Sequence, residues 1–176
     1  MPENVARFYA GWRQANDQLI ETVGSLSADE LAWAPAPHMW PIWALVGHLA
    51  GARVYWLCHV LGEPGAASTP FTDPAGEGWE DDLQRPRGSD ELVHALRSSV
   101  DILAGCLERW TPEMLQVEFP RRRGDVLQMH TRQSILFRIL THDASHVGEI
   151  SATLGSHGRG EIDLWSRLSR AVPSPT

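Results

Sequence analysis

His142 and His146 stand four residues apart in the segment Thr141-His142-Asp143-Ala144-Ser145-His146-Val147-Gly148-Glu149-Ile150. On an α-helix, positions i and i+4 are separated by roughly 40° around the axis and about 6 Å along it, so both imidazoles point the same way and can close on one metal ion. A pair alone holds a metal weakly. The best third ligand is His48, in Val46-Gly47-His48-Leu49-Ala50-Gly51-Ala52. Three neutral imidazoles suit Zn²⁺, Ni²⁺, Fe²⁺ or Cu²⁺, and ligand softness does not choose among them. Three protein ligands also leave a position open for water or substrate, the catalytic rather than the structural pattern. Small residues surround all three histidines: Ala44, Gly47, Gly51 and Ala52 on one segment, Ala144, Ser145 and Gly148 on the other. They let helices approach and leave room beside the imidazoles. Yet a His pair at this spacing also arises by chance in a chain with eight His, and a lone helical His is more often a hydrogen-bonded core residue.

Glu149 lies on the same stripe as His142, one turn beyond His146. It is the acidic candidate either to orient a ligand imidazole or to act as a base on water. Asp143 points about 100° away from His142, toward a solvated face or an Arg. His59 shares a face with His48 but lies roughly 16 Å further along, too far to ligate the same ion. His38, His94, His130 and His157 have no partner at ligand spacing and read, like His59, as surface or ordinary polar residues. Cys58 and Cys106 are too few for a disulfide framework and read as small packing residues.

The net charge of −7 argues against a general nucleic-acid binder. All fifteen basic residues are Arg, so chemistry through a Lys Schiff base or Lys nucleophile is excluded. The chain is 43% apolar with eight Trp, enough for a sizeable core in one domain spanning residues 1–176. No apolar run approaches the ~20 residues that span a bilayer, and the start, Met1-Pro2-Glu3-Asn4, is unlike a signal peptide. A cytoplasmic protein with no membrane partner is the expectation.

Those histidines need helices to present them, and the apolar spacing predicts four. The first runs from about Glu3 to Gly24 with Val5, Phe8, Trp12, Ala15, Leu19 and Val23 in one stripe. Ser27 to Glu30 reads as a capping box on a short turn. The second starts at Pro41 and carries His48 to about Leu61. Residues 62–88, rich in Gly, Pro, Ser, Thr and Asp, read as a long crossover. The third begins at a Ser89 cap, and Leu92, Leu96, Ser99, Leu103, Cys106 and Trp110 sketch its inner face. Residues 117–130, with the basic run Arg121-Arg122-Arg123, read as a connection. Thr131 caps the fourth helix, which carries His142 and His146 to Leu154. A further short helix is expected before Pro173. The fold class is all-α: an antiparallel four-helix bundle with a long crossover between its second and third helices.

A Trp-flanked helix start running from Trp40 into Gly47-His48-Leu49-Ala50, followed late in the chain by His142-Asp143-x-x-His146-x-Gly148-Glu149-Ile150, resembles the DinB-like superfamily. The resemblance extends from the first helix to about Leu164-Trp165. It implies a metal-binding four-helix bundle, often a homodimer, with His48, His142 and His146 as ligands of a divalent transition metal such as Zn, Ni or Fe. It also implies a small-molecule substrate and one of three functions. The first is S-transfer using a low-molecular-weight thiol of the mycothiol or bacillithiol type, its carboxylates held by Arg53 or by Arg121–Arg123. The second is metal-dependent hydrolysis with Glu149 as base. The third is a non-catalytic metal- or ligand-binding bundle.

Overall fold

The computed structural model describes residues 4–71 and 82–169. The expected helix start at Glu3, the middle of the crossover and the end of the tail with Pro173 lie outside the described residues. A 3₁₀ turn, Ala6–Tyr9, leads into α1, Ala10–Gly24; α2, Ala28–Leu31, is a single turn. The long elements that follow are α3, Ile42–Val54, α4, Ser89–Arg109, and α5, Arg132–Ser156. The four long helices are the bundle that the apolar spacing predicts.

Their ends obey local chemistry. The Ser27 hydroxyl accepts from the Glu30 N–H while the Glu30 carboxylate accepts from the Ser27 N–H, a complete capping box. Thr131 closes a second such box with Ser134 at the start of α5. Two expected starts shift by one residue. Pro41 is itself the N-cap of α3, and Gly88, not Ser89, is the N-cap of α4.

α3 packs on both α4 and α5, and α1 packs on α4. Chain direction follows from the side-chain pairs. Arg53 meets Ser99, and Glu63 meets Arg109 and Trp110, so the crossover returns α4 parallel to α3. His48 meets His142 and Trp56 meets Arg138, so α3 and α5 run antiparallel. The core is continuous, and it is built around Leu19, Val23, Ile42, Val46, Leu49, Leu57, Leu92, Leu96, Ile135 and Ile150, all buried. α3 is buried nearly all round, Arg53 included; it is the central helix, which is why it lacks a polar stripe.

α3 does not stop at Val54. It continues as a widened π turn, Tyr55–Val60, with the Leu61 N–H donating to the Trp56 carbonyl five residues back. Trp56 in this turn packs under Arg138 of α5, and Tyr55 under Arg121.

The connection expected over 117–130 is present and has regular structure. The segment is an antiparallel ribbon, β1, Glu118–Arg123, paired with β2, Val126–Thr131. Gly124 turns it with φ of 58° while Asp125 keeps a negative φ. A positive φ at the first of two turn residues is the hairpin geometry that favours Gly there. Both faces of the ribbon are largely exposed, so it lacks the inside-outside alternation by which a strand is recognised.

Candidate metal centre

His48 projects from the buried α3, and His142 and His146 project from α5 toward it. All three are half-buried, and one ring nitrogen from each lies within 4.8 Å of the others. The His48 and His142 Nε2 atoms are 3.0 Å apart, with donor and acceptor set by tautomer. The His142 and His146 rings meet edge-on with centroids 4.4 Å apart, and Trp40 walls the far side of His48 at 5.3 Å. The i,i+4 spacing therefore does what it predicts, and α3 delivers the third imidazole.

Whether this trio suits an ion can be judged from its geometry. Metal–nitrogen bonds of about 2.0–2.1 Å in tetrahedral geometry hold ligand nitrogens about 3.3 Å apart. The observed separations bracket that value, so modest ring rotations would close the site. Charge agrees. Burial first, then the neighbouring His146 and His48, then the Arg53 and Arg138 guanidinium groups, push the His142 pKa down to about 4. His142 is thus neutral at physiological pH, the form that offers a lone pair. Among the described residues, these three histidines are the group able to hold a metal ion, and no carboxylate belongs to it.

Glu149 sits beside the trio rather than in it. Its Oε2 lies 2.9 Å from His146 Nδ1. A carboxylate on Nδ1 fixes the tautomer that exposes Nε2 and raises its basicity, the usual outer partner of a ligating imidazole. Of the two roles expected for Glu149, the contact is that of orienting the imidazole. Replacing Glu149 with Ala should therefore weaken metal binding about 10–100-fold while leaving one ion per chain. Competition against a chelator of known affinity measures it, and an unchanged affinity would remove Glu149 from the site.

Arg53, expected to hold a cofactor, is engaged within the protein. Arg53 is only 1% exposed, and its donors are spent inside the bundle. Nη2 donates to Asp143 at 2.8 Å and to Asn16 Oδ1 at 2.6 Å; Nε donates to both Asp143 oxygens at 3.2 Å; Nη1 reaches Ser99 at 3.4 Å. Asp143 is likewise buried rather than solvated, though the Arg contact foreseen for it is present. The Trp12 indole N–H donates to it at 3.0 Å. Burial pushes the Asp143 carboxyl upward, while the Arg53 guanidinium and the Trp12 N–H oppose that. Trp12 and Asn16 from α1, Arg53 from α3, Ser99 from α4 and Asp143 from α5 thus lock all four helices at one level. Asp143 follows His142 directly, so this lock also fixes how far α5 is rotated and where its imidazoles point.

The sequence offered only partial signs of the lock. Arg53 was an odd cation in an apolar helix, and Asn16 was a polar residue one turn after Trp12 on the α1 stripe. Beyond the pair, between α1, α5 and the segment 164–168, lies an apolar cavity of about 290 Å³ with Phe8, Trp12, Leu140 and Trp165 in its walls. None of the three histidines lines it.

The remaining histidines stand apart from the trio. His59 is exposed and stacks on Tyr55, His157 stacks on Trp33, and His130 packs edge-on against Trp56. Cys58 and Cys106 are free thiols whose pKa values burial raises, that of Cys106 to about 12, as expected of packing residues. No described helix is long and apolar enough to cross a membrane.

Comparison with known proteins identifies the family and the fold. The family model of the DinB superfamily matches residues 12–150, a span that contains all three histidines, Glu149 and the buried lock. A DinB-like protein from Bacillus cereus ATCC 10987 has a similar structure, with a TM-score of 0.66 and 15% identity, covering 90% of this chain and 95% of that one. At that identity the likeness concerns the fold. No curated protein matches the chain.

Proposed function

The chain belongs to the DinB superfamily, and on that premise we propose that it is a metal-dependent enzyme that activates a low-molecular-weight thiol for S-transfer. The observation that carries this reading is the composition of the trio: three half-buried imidazoles with no carboxylate among them. A divalent ion held by His48, His142 and His146 would keep its full double charge, retain an open position and lower the pKa of a thiol that enters there. The protein's own part is to hold that geometry. Glu149 orients His146, the Arg53–Asp143 lock sets the rotation of α5, and Trp40 shields His48 on one side. The thiol proton would pass to solvent, and the sulfur electron pair would form the bond to an electrophilic carbon, whose leaving group departs with the electrons of the bond that breaks.

Hydrolysis is less well supported. It needs a general base beside the open position, and the carboxylate available for that role, Glu149, is turned to His146 Nδ1. The test is calorimetric titration of 3-mercaptopropionate and glutathione into metal-loaded and chelator-stripped protein. Thiol binding at least tenfold tighter with metal than without it is the expected result. Equal binding with and without metal would end the proposal.

A further inference from the structure

One turn before His142 on α5 stands Arg138, one of two cations on the Trp56 ring that have no acidic partner among the described residues. Arg138 is exposed and lies four residues before His142 on α5. Its guanidinium sits 4.7 Å from the centre of the Trp56 ring. Arg121, half-buried on β1, sits 5.1 Å from the centre of that same ring and 5.3 Å from that of Tyr55. Its Nε donates to the Tyr55 hydroxyl at 2.6 Å and its Nη1 donates to Gln128 at 3.0 Å. Among the described residues, neither arginine pairs with a carboxylate. Both act on one further ring: burial first, then Arg138, then Arg121 lower the pKa of His130, which packs edge-on against Trp56.

Two guanidinium groups gathered on one indole repel each other, and one of them, Arg138, stands one helical turn before His142 on α5. Such a concentration of positive charge in a chain of net charge −7 calls for an anion. The elements that build it are also the unusual ones. The π turn, Tyr55–Val60, supplies the aromatic floor, and the hairpin supplies Arg121. Stacking leaves the N–H edges of a guanidinium free to grip an oxyanion in its plane. The cations here are all side chains. The first turn of α5, whose backbone N–H groups would suit a phosphate, is closed by the Thr131 capping box.

We propose that Arg138 and Arg121, over Trp56 and Tyr55, form a carboxylate subsite for a small ligand whose other end reaches His48, His142 and His146. This rests on the thiol reading above and extends it. The thiol the protein uses carries a carboxylate within a few bonds of its sulfur, so carboxylated thiols bind in preference to uncharged sugar thiols. Of the two arginines, Arg138 is exposed, whereas Arg121 is half-buried and braced by Tyr55 and Gln128.

The experiment titrates 3-mercaptopropionate and its methyl ester into the metal-loaded protein and into its Arg138→Gln variant. Propionate, which has no sulfur, is titrated into the metal-free protein. Wild type is expected to bind the acid at least tenfold more tightly than the ester. In Arg138→Gln that preference should collapse to about twofold or less, with ester affinity and metal affinity unchanged. Propionate should bind the metal-free wild type weakly and Arg138→Gln not measurably. Arg138 is exposed, so its replacement leaves the core intact; an unchanged circular dichroism spectrum and ester affinity verify that. Equal affinity of acid and ester for wild type would overturn the subsite while leaving thiol activation standing. Propionate binding lost in Arg138→Gln, with neither thiol recognising the metal, would overturn thiol activation and keep the subsite.

Discussion

Replacing Asp143 with alanine is expected to destabilise the fold by about 3–5 kcal/mol. The cost does not come from the aspartate itself. It comes from Arg53, which is 1% exposed and would be left as an uncompensated buried cation. Removing one partner of such a pair strands the other in a medium where an unpaired charge is far more costly than in water. Asn16 and Ser99 would still accept from Arg53, but neither carries charge. The Trp12 N–H would also lose its acceptor, which adds about 1–3 kcal/mol where no water replaces it. Replacing both charged residues with apolar ones of similar volume should recover most of the loss, because a buried ion pair roughly breaks even against good packing. Urea unfolding of Asp143→Ala, Arg53→Met and the double variant measures this. A single-variant loss below about 1 kcal/mol would mean that water reaches the pair.

Metal should stabilise the chain by about 4 kcal/mol when present at a thousandfold excess over its dissociation constant. For a domain of this size each kcal/mol moves the melting temperature by roughly 2–4 °C, so the expected rise is on the order of 10 °C. The stabilisation arises because the unfolded chain has no preformed site: His48 is joined to the pair only by the packing of α3 on α5. His142→Ala should abolish most of the rise, since His142 contacts both other rings. His59→Ala should leave it unchanged, because His59 lies on the exposed end of the π turn, stacked on Tyr55. A melting temperature indifferent to metal, or equally raised in His142→Ala, would place any bound ion elsewhere.

Much of the metal centre was legible because helical geometry is periodic. Two histidines at i and i+4 must share a face, and only the pairing of α3 with α5 had to be supplied by the fold. The caps at Ser27 and Thr131 were legible for a similar reason, since each is a contact within three residues. For Asp143 the Arg contact was legible but its burial was not, because a position about 100° from the ligand stripe faces solvent on a helix with one neighbour but protein on a helix with two. α5 meets α3 on one side, and α1 reaches it through Trp12 on the other. The hairpin escaped detection because a two-stranded ribbon with no buried face imposes no alternation, and Pro120 within β1 argued against a strand. Gly124 before Asp125 was the available signal. The pairing of Arg138 with Arg121 could not be read at all, because it depends on the π turn and on the register of the ribbon.

The central claim is that the three histidines hold an ion whose open position accepts a thiol. Cobalt(II) added to the metal-free protein reports on both halves in one titration. Bound at His48, His142 and His146, it should give the intense visible absorption of a low-coordinate nitrogen site, with one ion per chain. Adding 3-mercaptopropionate should then produce a sulfur-to-cobalt charge-transfer band that saturates at one thiol per ion and is missing in His142→Ala. A cobalt spectrum that is the same in wild type and His142→Ala, or one that thiol leaves unchanged, would contradict the account.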